Sequence, residues 1–214
     1  MTLLVVTAVA AEAEALLRGM PAGHPVTVTP VGVGPAAAAA GTARLLALAG
    51  SRYRAVVSAG IAGGIGVEPG GTVLGARSIA ADLGAQSPES DTGFISVDDL
   101  GFGTATLEAD ADLLAALRRV LPDAAVGDVL TLSTVTGTAE TARELVARHP
   151  LAVAEAMEGY GVGCAAEQAG VPFAELRTIS NPVGPRDRAS WRIGDALSAL
   201  TAAAPHLAAL AGSW

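Results

Sequence analysis

The sequence contains no lysine, and its thirteen basic residues are all arginine. This excludes a Schiff-base lysine, a lysine general base and the lysine of a phosphate-binding P-loop. Cys164 is the single cysteine, which excludes a disulfide within the chain. The three histidines, His24, His149 and His206, are far apart and lack metal-ligand spacing. We therefore expect neither a metal nor a cofactor.

Aromatic residues and positive charge are also scarce. The chain has two tryptophans, two tyrosines and three phenylalanines, and its formal net charge is −8. Because nucleic-acid binding requires stacking rings and a basic surface, we expect no nucleic-acid partner. The 214 residues are 51% hydrophobic and no linker divides them, which predicts one domain spanning residues 1–214.

Two apolar segments resemble targeting or membrane segments. The opening run from Leu3 to Ala10 is short and follows no basic region, so it indicates a buried strand of a cytoplasmic protein rather than a signal peptide. The uncharged tail from Ala196 onward approaches the length of a membrane span, but Pro205 and several polar residues interrupt it. We predict an amphipathic closing helix and no membrane partner.

Short valine-rich runs alternate with longer segments of alanine and leucine. This pattern predicts an α/β sandwich around a mixed, mostly parallel sheet. The predicted strands are Leu3–Ala8, Val26–Val33, Ala55–Ser58, Thr72–Arg77, Ala125–Leu132 and Phe173–Ile179. The predicted helices are Ala11–Met20, Pro35–Ala49, Leu107–Leu121, Thr138–Arg148, Tyr160–Ala169 and Trp191–Leu210. The acidic, glycine-containing stretch Gly84–Gly103 is predicted to be a long loop.

Two glycine-rich segments follow predicted strands. The segment from Gly32 to Ala37 matches a dinucleotide fingerprint, but the next strand ends without the acid that would bind a ribose, which favours a tight turn. The segment from Gly60 to Gly66 is compatible with a phosphate nest, a sugar floor or a flexible turn.

Three charged residues lie in apolar surroundings. Glu158 needs hydrogen-bond donors, and both ribose hydroxyls and a helix N-terminus would supply them. Glu12 follows the first strand, either at the ligand-binding edge of the sheet or as a solvated first-turn acid. Arg177 lies in an otherwise apolar strand and therefore needs a partner, and a carboxylate such as Glu12 would serve.

The ordered set of motifs resembles the nucleoside phosphorylase and nucleosidase family over nearly the whole chain. The matching segments are Ala11-Glu12-Ala13-Glu14, Gly32-Val33-Gly34, Gly60-Ile61-Ala62-Gly63-Gly64, Met157-Glu158-Gly159 and Arg177-Thr178-Ile179-Ser180-Asn181. The resemblance implies a nucleoside phosphorylase-like fold, a small-molecule nucleoside substrate, and assembly as a homodimer or higher homo-oligomer.

The resemblance also implies a role for each matching residue. Glu158 would bind the 2′ and 3′ hydroxyls of the ribose, with Met157 against the sugar and Gly63 nearby. Glu12 would deprotonate the attacking water, with Arg177 alongside. Val135 falls in the loop that contacts the purine, and Ile61 replaces a serine that lies near the water in adenine-specific nucleosidases.

Asn181 replaces the aspartate that protonates N7 of the base in adenine-specific nucleosidases. An amide is not a general acid, but it offers one acceptor and two donors. Its carbonyl can accept from N7–H while its NH₂ donates to O6 of a 6-oxopurine. This departure favours hypoxanthine or guanine over adenine.

The expected reaction is hydrolysis of an N-glycosidic bond. Phosphorylases of the family carry an arginine in the turn after the first strand, and the turn Thr7–Ala11 has none. Phosphorolysis and a non-catalytic nucleoside-binding protein remain the alternatives, as do inosine, guanosine and methylthioadenosine as substrates. For an extended 5′ side of the substrate, the candidates are Phe94, Phe102 and one of Arg186 or Arg188.

Overall fold

A computed structural model describes residues 2–213 of the chain. The strands are β1 Thr2–Thr7, β2 Val26–Pro30, β3 Tyr53–Gly64, β4 Thr72–Ala80, β5 Gly84–Gln86, β6 Phe94–Ser96, β7 Thr106–Glu108, β8 Ala125–Thr131, β9 Ala152–Ala156 and β10 Phe173–Pro182. The α-helices are α1 Ala10–Gly19, α2 Pro35–Ala49, α3 Val97–Leu100, α4 Ala111–Val120, α5 Ala139–Arg148, α6 Gly159–Gln168 and α7 Ile193–Ser213. This succession confirms the predicted α/β class.

The main sheet is mixed and mostly parallel. Strand β1 pairs in parallel with β2 and β3, and β3 pairs in parallel with β10. Strand β8 also pairs in parallel with β4 and with β9. Strand β10 pairs antiparallel with β4, and β3 pairs antiparallel with β9. Strands β3, β10, β4, β8 and β9 therefore form a closed circuit. The closure brings the ends of β3, β9 and β10 together.

Helices cover both faces of the sheet around β1. Leu3 and Val5 pack in a core cluster with α1, α4 and α7, whereas Leu4 and Val6 pack in a second cluster with α2 and α6. Successive side chains of a strand point to opposite faces, so a strand that is buried on both faces reads as a continuous apolar run. The opening run of the sequence is such a strand.

The closing helix α7 contributes to the core. By length and composition alone, residues 188–212 are long and apolar enough to span a membrane. Of the 18-residue apolar stretch within this range, 39% is buried. Leu200, Ala204 and Leu207 of this helix are fully buried in the cluster that also contains Leu16 of α1. This packing agrees with the predicted closing helix.

Several elements differ from the sequence predictions. The helix predicted from Leu107 begins at Ala111, because Asp110 caps it and residues 106–108 pair with β4 instead. The predicted loop Gly84–Gly103 contains the β5–β6 hairpin and α3. Strand β9 was not predicted, because alanine and glutamate have low strand propensity and pairing with β8 and β3 decides its conformation.

Candidate active site

A cavity of about 250 Å³ lies where β3 and β10 end beside β9. Six of the site residues predicted from the sequence line it: Ile61, Gly63, Val135, Met157, Glu158 and Asn181. The predicted catalytic residues Glu12 and Arg177 are not among its lining residues. Its other lining residues are Ala62, Thr136, Glu155, Ala156, Ser180, Val183, Gly184, Pro185, Arg186, Trp191 and Ile193. The cavity joins residues from widely separated parts of the chain into one site.

Glu12 is 4% exposed and lies in the first turn of α1, beside the cavity. Its Oε2 accepts hydrogen bonds from the backbone N–H groups of Ala8 at 2.9 Å and Val9 at 3.2 Å. Its Oε1 accepts from the N–H of Ile61 at 2.9 Å. Three donors therefore hold the carboxylate between the β1–α1 turn and β3, and Glu12 is not a solvated first-turn acid.

Arg177 is fully buried on β10 and donates to three side chains. Its Nε donates to Oε1 of Glu175 at 2.8 Å and its Nη1 to Oε2 of Glu158 at 3.3 Å. Its Nη2 donates to Oγ of Ser58 at 3.0 Å. Burial alone would lower the pKa of Arg177, but Glu175 and Glu158 together raise it. The guanidinium is therefore a fixed positive charge behind the site.

Arg177 has carboxylate partners, as predicted, but they are Glu175 and Glu158; the suggested partner, Glu12, forms no ion pair with it. Glu175 and Arg177 are two positions apart on a strand, which places both side chains on the same face. Burial raises the pKa of Glu175, and the charge of Arg177 opposes this rise. The two-residue spacing on a predicted strand was enough to indicate that Glu175 lies beside Arg177.

Glu158 lies immediately before α6 and is 6% exposed. Its Oε2 accepts from Arg177, and its Oε1 accepts from the N–H of Gly34 at 3.2 Å. Gly34 has φ of 88°, in the region that favours glycine. The Gly32–Gly34 turn is thus the predicted tight turn, and it also orients Glu158.

Gly60 lies where the groups around Glu12 and Arg177 converge. A Cβ atom at this position would be 2.7 Å from Oε1 of Glu12 and 2.8 Å from Nη1 of Arg177. Gly60 to Gly64 continue strand β3, so this part of the segment is not a flexible turn, which was one of its three interpretations. The absence of a side chain at Gly60 therefore lets both charged groups approach the same point of the strand.

Asn181 ends β10 and is half-buried in the cavity wall. Its Oδ1 accepts from the hydroxyl of Ser180 at 2.7 Å, and its Nδ2 donates to the backbone carbonyl of Pro182 at 2.9 Å. It pairs in register with Gly63 of β3. The neighbouring serine and the backbone orient the amide.

Glu155 is a cavity residue that the sequence analysis missed. It is 5% exposed, and its Oε1 accepts from the N–H of Thr136 at 2.7 Å. Its Oε2 has no hydrogen-bond partner within residues 2–213. Burial raises the pKa of this carboxyl, and the hydrogen bond from Thr136 opposes the rise.

Phe94 and Phe102 do not line this cavity. Phe94 is paired with Gln86 in the β5–β6 hairpin, and its ring packs 4.5 Å from the guanidinium of Arg148, at a separate depression. Phe102 is 76% exposed. The prediction that they bind the substrate is therefore not met within one chain, because the hairpin holds Phe94 elsewhere and Phe102 faces solvent.

Of the two arginines proposed for the 5′ side, Arg186 lines the cavity. Its guanidinium lies 5.4 Å from the ring centroid of Trp191, within the range of a cation–π contact. Arg188 is exposed in a short 3₁₀ turn, Arg188–Ser190. Within residues 2–213, no cluster of three or more His, Cys, Asp or Glu side chains is arranged to hold a metal ion.

Comparison with known proteins agrees with this fold. Residues 5–213 match the family described as "Phosphorylase superfamily". A solved structure with a TM-score of 0.80 is a 5′-methylthioadenosine/S-adenosylhomocysteine nucleosidase from Neisseria meningitidis in complex with methylthio-immucillin-A. It is 22% identical and the match covers 100% of this chain and 99% of that chain. The chain belongs to the phosphorylase superfamily.

Two curated relatives define its place in that superfamily more narrowly. A futalosine hydrolase of Streptomyces coelicolor is 50% identical, with 100% of this chain and 98% of the relative covered. A futalosine hydrolase of Acidothermus cellulolyticus is 44% identical, with 99% and 91% covered. Within the superfamily, the chain belongs with the futalosine hydrolases.

Proposed function

We propose that this chain hydrolyses the N-glycosidic bond of futalosine and releases hypoxanthine and dehypoxanthine futalosine. The observation that carries the proposal is the grouping of Glu158, Asn181 and the Glu12–Ile61 contact around one cavity. These residues supply a sugar acceptor, a purine contact and a base for water. The similarity to futalosine hydrolases supports the choice of substrate.

Glu158 is the proposed acceptor for the ribose hydroxyls. Cleavage proceeds through a transition state in which positive charge develops on the sugar, as in glycoside hydrolysis. A buried carboxylate that binds the sugar hydroxyls stabilises that charge more than it stabilises the neutral substrate. Arg177 and the N–H of Gly34 orient Glu158 for this role.

Glu12 is the proposed general base. Each of its oxygens accepts at least one backbone N–H and retains capacity for a further hydrogen bond. A water bound there adds to C1′ as the bond between C1′ and N9 breaks. Its proton passes to Glu12, which releases it to solvent, and solvent water supplies the proton that N7 of the departing purine gains. The reaction therefore consumes one water overall.

Asn181 is the proposed purine contact. With a 6-oxopurine, its carbonyl accepts from N7–H and its NH₂ donates to O6. With adenine, the same NH₂ would face another donor. A buried mismatch of this kind discriminates by roughly 10⁴ or more, which favours hypoxanthine as the leaving base.

The β1–α1 turn favours hydrolysis over phosphorolysis. In this turn, the N–H groups of Ala8 and Val9 both donate to the carboxylate of Glu12. A phosphate placed there would compete for these donors and face a like charge. Water avoids both problems.

The 5′ side of futalosine carries a benzoate. Arg186 and Trp191 offer a cation and an aromatic surface at the cavity, and we assign the benzoate to them. We further propose that residues 1–214 act as one catalytic domain, as a cytoplasmic homodimer or higher homo-oligomer in menaquinone biosynthesis, without a nucleic-acid partner. The family relationship supports these assignments.

The test incubates purified protein with futalosine, inosine or methylthioadenosine, with and without phosphate, and follows free base by chromatography. Phosphate-independent release of hypoxanthine from futalosine is the expected result. Ribose 1-phosphate products that form only with phosphate would overturn hydrolysis. Faster cleavage of methylthioadenosine would overturn the substrate assignment.

A further inference from the structure

The buried carboxyl group of Glu155 at the cavity is only partly used by the protein. Glu155 is 5% exposed, and its Oε1 accepts a hydrogen bond from the N–H of Thr136. The other oxygen, Oε2, has no partner within residues 2–213. A buried polar atom without a partner is costly, so such an atom in a binding cavity points to a ligand donor.

Glu155 and Asn181 flank the same residue of β3. Gly63 pairs with Asn181 of β10 on one side and with Glu155 of β9 on the other. Neighbouring strands are about 4.8 Å apart, so the two flanking backbones are separated by about 10 Å. Between them, Gly63 has no side chain: a Cβ there would lie 2.8 Å from Cγ2 of Val183 and 3.7 Å from Nδ2 of Asn181, so the amide and Val183 both face this side of the strand.

The side chains of Glu155 and Asn181 offer complementary hydrogen-bonding groups within the cavity. Both residues line the cavity. Asn181 supplies an acceptor and a donor, whereas an ionised Glu155 supplies acceptors alone. A planar ligand that fits between them needs an edge facing Asn181 and a donor facing Glu155.

We infer that Glu155 is a specificity-determining residue that accepts the N1–H of a 6-oxopurine while Asn181 contacts N7 and O6. Hypoxanthine carries a donor at N1, next to O6, and so matches both side chains. Adenine carries an acceptor at N1 and would face the carboxylate oxygen without a donor. The inference rests on the proposed function, because it assigns the base to the same cavity.

A purely structural role for Glu155 makes a different prediction. In that case Glu155 would only accept the N–H of Thr136, in the loop that contains Val135, and one acceptor oxygen would suffice. Glu155→Gln separates the two roles. Its amide oxygen is needed by Thr136, which leaves the NH₂ at the position of Oε2, where it opposes N1–H as a second donor.

Isothermal titration calorimetry of the purified protein with hypoxanthine, 1-methylhypoxanthine and adenine measures the three binding affinities and tests the role of Glu155 directly. Wild type is expected to bind hypoxanthine at least ~10-fold more tightly than 1-methylhypoxanthine, which lacks N1–H. In Glu155→Gln this preference should disappear, and adenine should bind more tightly than in wild type. Glu140→Gln removes an exposed glutamate on α5 that pairs with Arg143, and should leave all three affinities unchanged.

Each failure has its own signature. Equal binding of hypoxanthine and 1-methylhypoxanthine by wild type overturns the inference even if the variant does not fold. Wild-type preferences in a folded Glu155→Gln, as judged by circular dichroism, also overturn it. If wild type binds hypoxanthine with the expected preference but does not cleave futalosine, the proposed function fails and the assignment of Glu155 stands.

Discussion

The Nε of Arg177 donates to Oε1 of Glu175 over 2.8 Å, and both side chains are 1% exposed. The same guanidinium reaches Glu158 through Nη1, so Glu175 fixes the arginine that orients the proposed sugar acceptor. Glu175 is not among the residues that line the cavity. It is a positioning residue, and its effect on turnover is transmitted by Arg177.

Replacing Glu175 tests this connection. Breaking one partner from a buried ion pair costs about 3–5 kcal/mol, so Glu175→Ala should lower the melting temperature and reduce kcat by at least ~10-fold. Glu175→Gln keeps an acceptor for Arg177 and should recover most of the stability. Thermal melts and steady-state kinetics measure both effects. Wild-type kcat in a folded Glu175→Ala would refute the positioning role.

Loss of the proposed base should affect chemistry more than binding. Glu12→Gln is expected to reduce kcat by about 10²–10⁴-fold, since general-base catalysis contributes that much. The affinity for hypoxanthine should change little, because Glu12 is assigned to the water and not to the purine. Single-turnover rates and base titration separate the two quantities. A kcat close to that of wild type would remove Glu12 from this role.

Asn181→Asp should change base preference. The carboxylate loses the NH₂ that donates to O6, so the ratio of kcat/KM for inosine over adenosine is expected to fall. Competition between the two nucleosides in one reaction measures this ratio directly. An unchanged ratio would contradict the hydrogen-bonding argument for Asn181.

A methyl group at Gly60 should disturb two charged groups at once. The added Cβ would lie within 3 Å of both Glu12 and Arg177, so one or both side chains must move. Misplacement by about 1 Å can reduce turnover by about 10²-fold, which is the loss expected for Gly60→Ala.

Gly194→Ala is the matched control for Gly60→Ala, because a Cβ at Gly194 in α7 has no neighbour within 4 Å. It should keep wild-type kcat. Kinetics on both variants, with melting curves to verify folding, make the comparison. Equal activity of the two variants would show that the crowding at Gly60 does not matter.

The pH dependence of stability should depend on Glu155. Burial raises the pKa of this carboxyl, so the folded protein holds its proton more tightly than the unfolded chain. Its favourable contribution is therefore fully present below the ordinary carboxyl pKa and is lost as pH rises through the raised pKa.

Glu155→Gln carries no titrating group at this position. The melting temperature of this variant minus that of wild type is therefore expected to increase from about pH 4 to about pH 8. Differential scanning fluorimetry at several pH values gives this difference. A difference that is constant with pH would contradict the assigned direction of the shift.

The α/β class follows from local sequence pattern, and so do several of the candidate site residues. The alternation of valine runs with alanine-rich segments gave the α/β order, since apolar periodicity reflects local backbone geometry. Helix α2 begins at Pro35 and ends at Ala49, as predicted. Glu12 and Glu158 were singled out because acids in apolar surroundings demand partners, whereas Asn181 was singled out by the resemblance to the nucleosidase family.

Which side chains come into contact depends on the long-range pairing of strands. The closure of β9 onto β3 brings Glu155 next to Gly63, and that pairing lies between residues that are far apart in sequence. Long-range packing also brings Glu158 to Nη1 of Arg177, and the β5–β6 hairpin keeps Phe94 away from the cavity. Contacts of this kind depend on strand register and chain closure, which local composition does not encode.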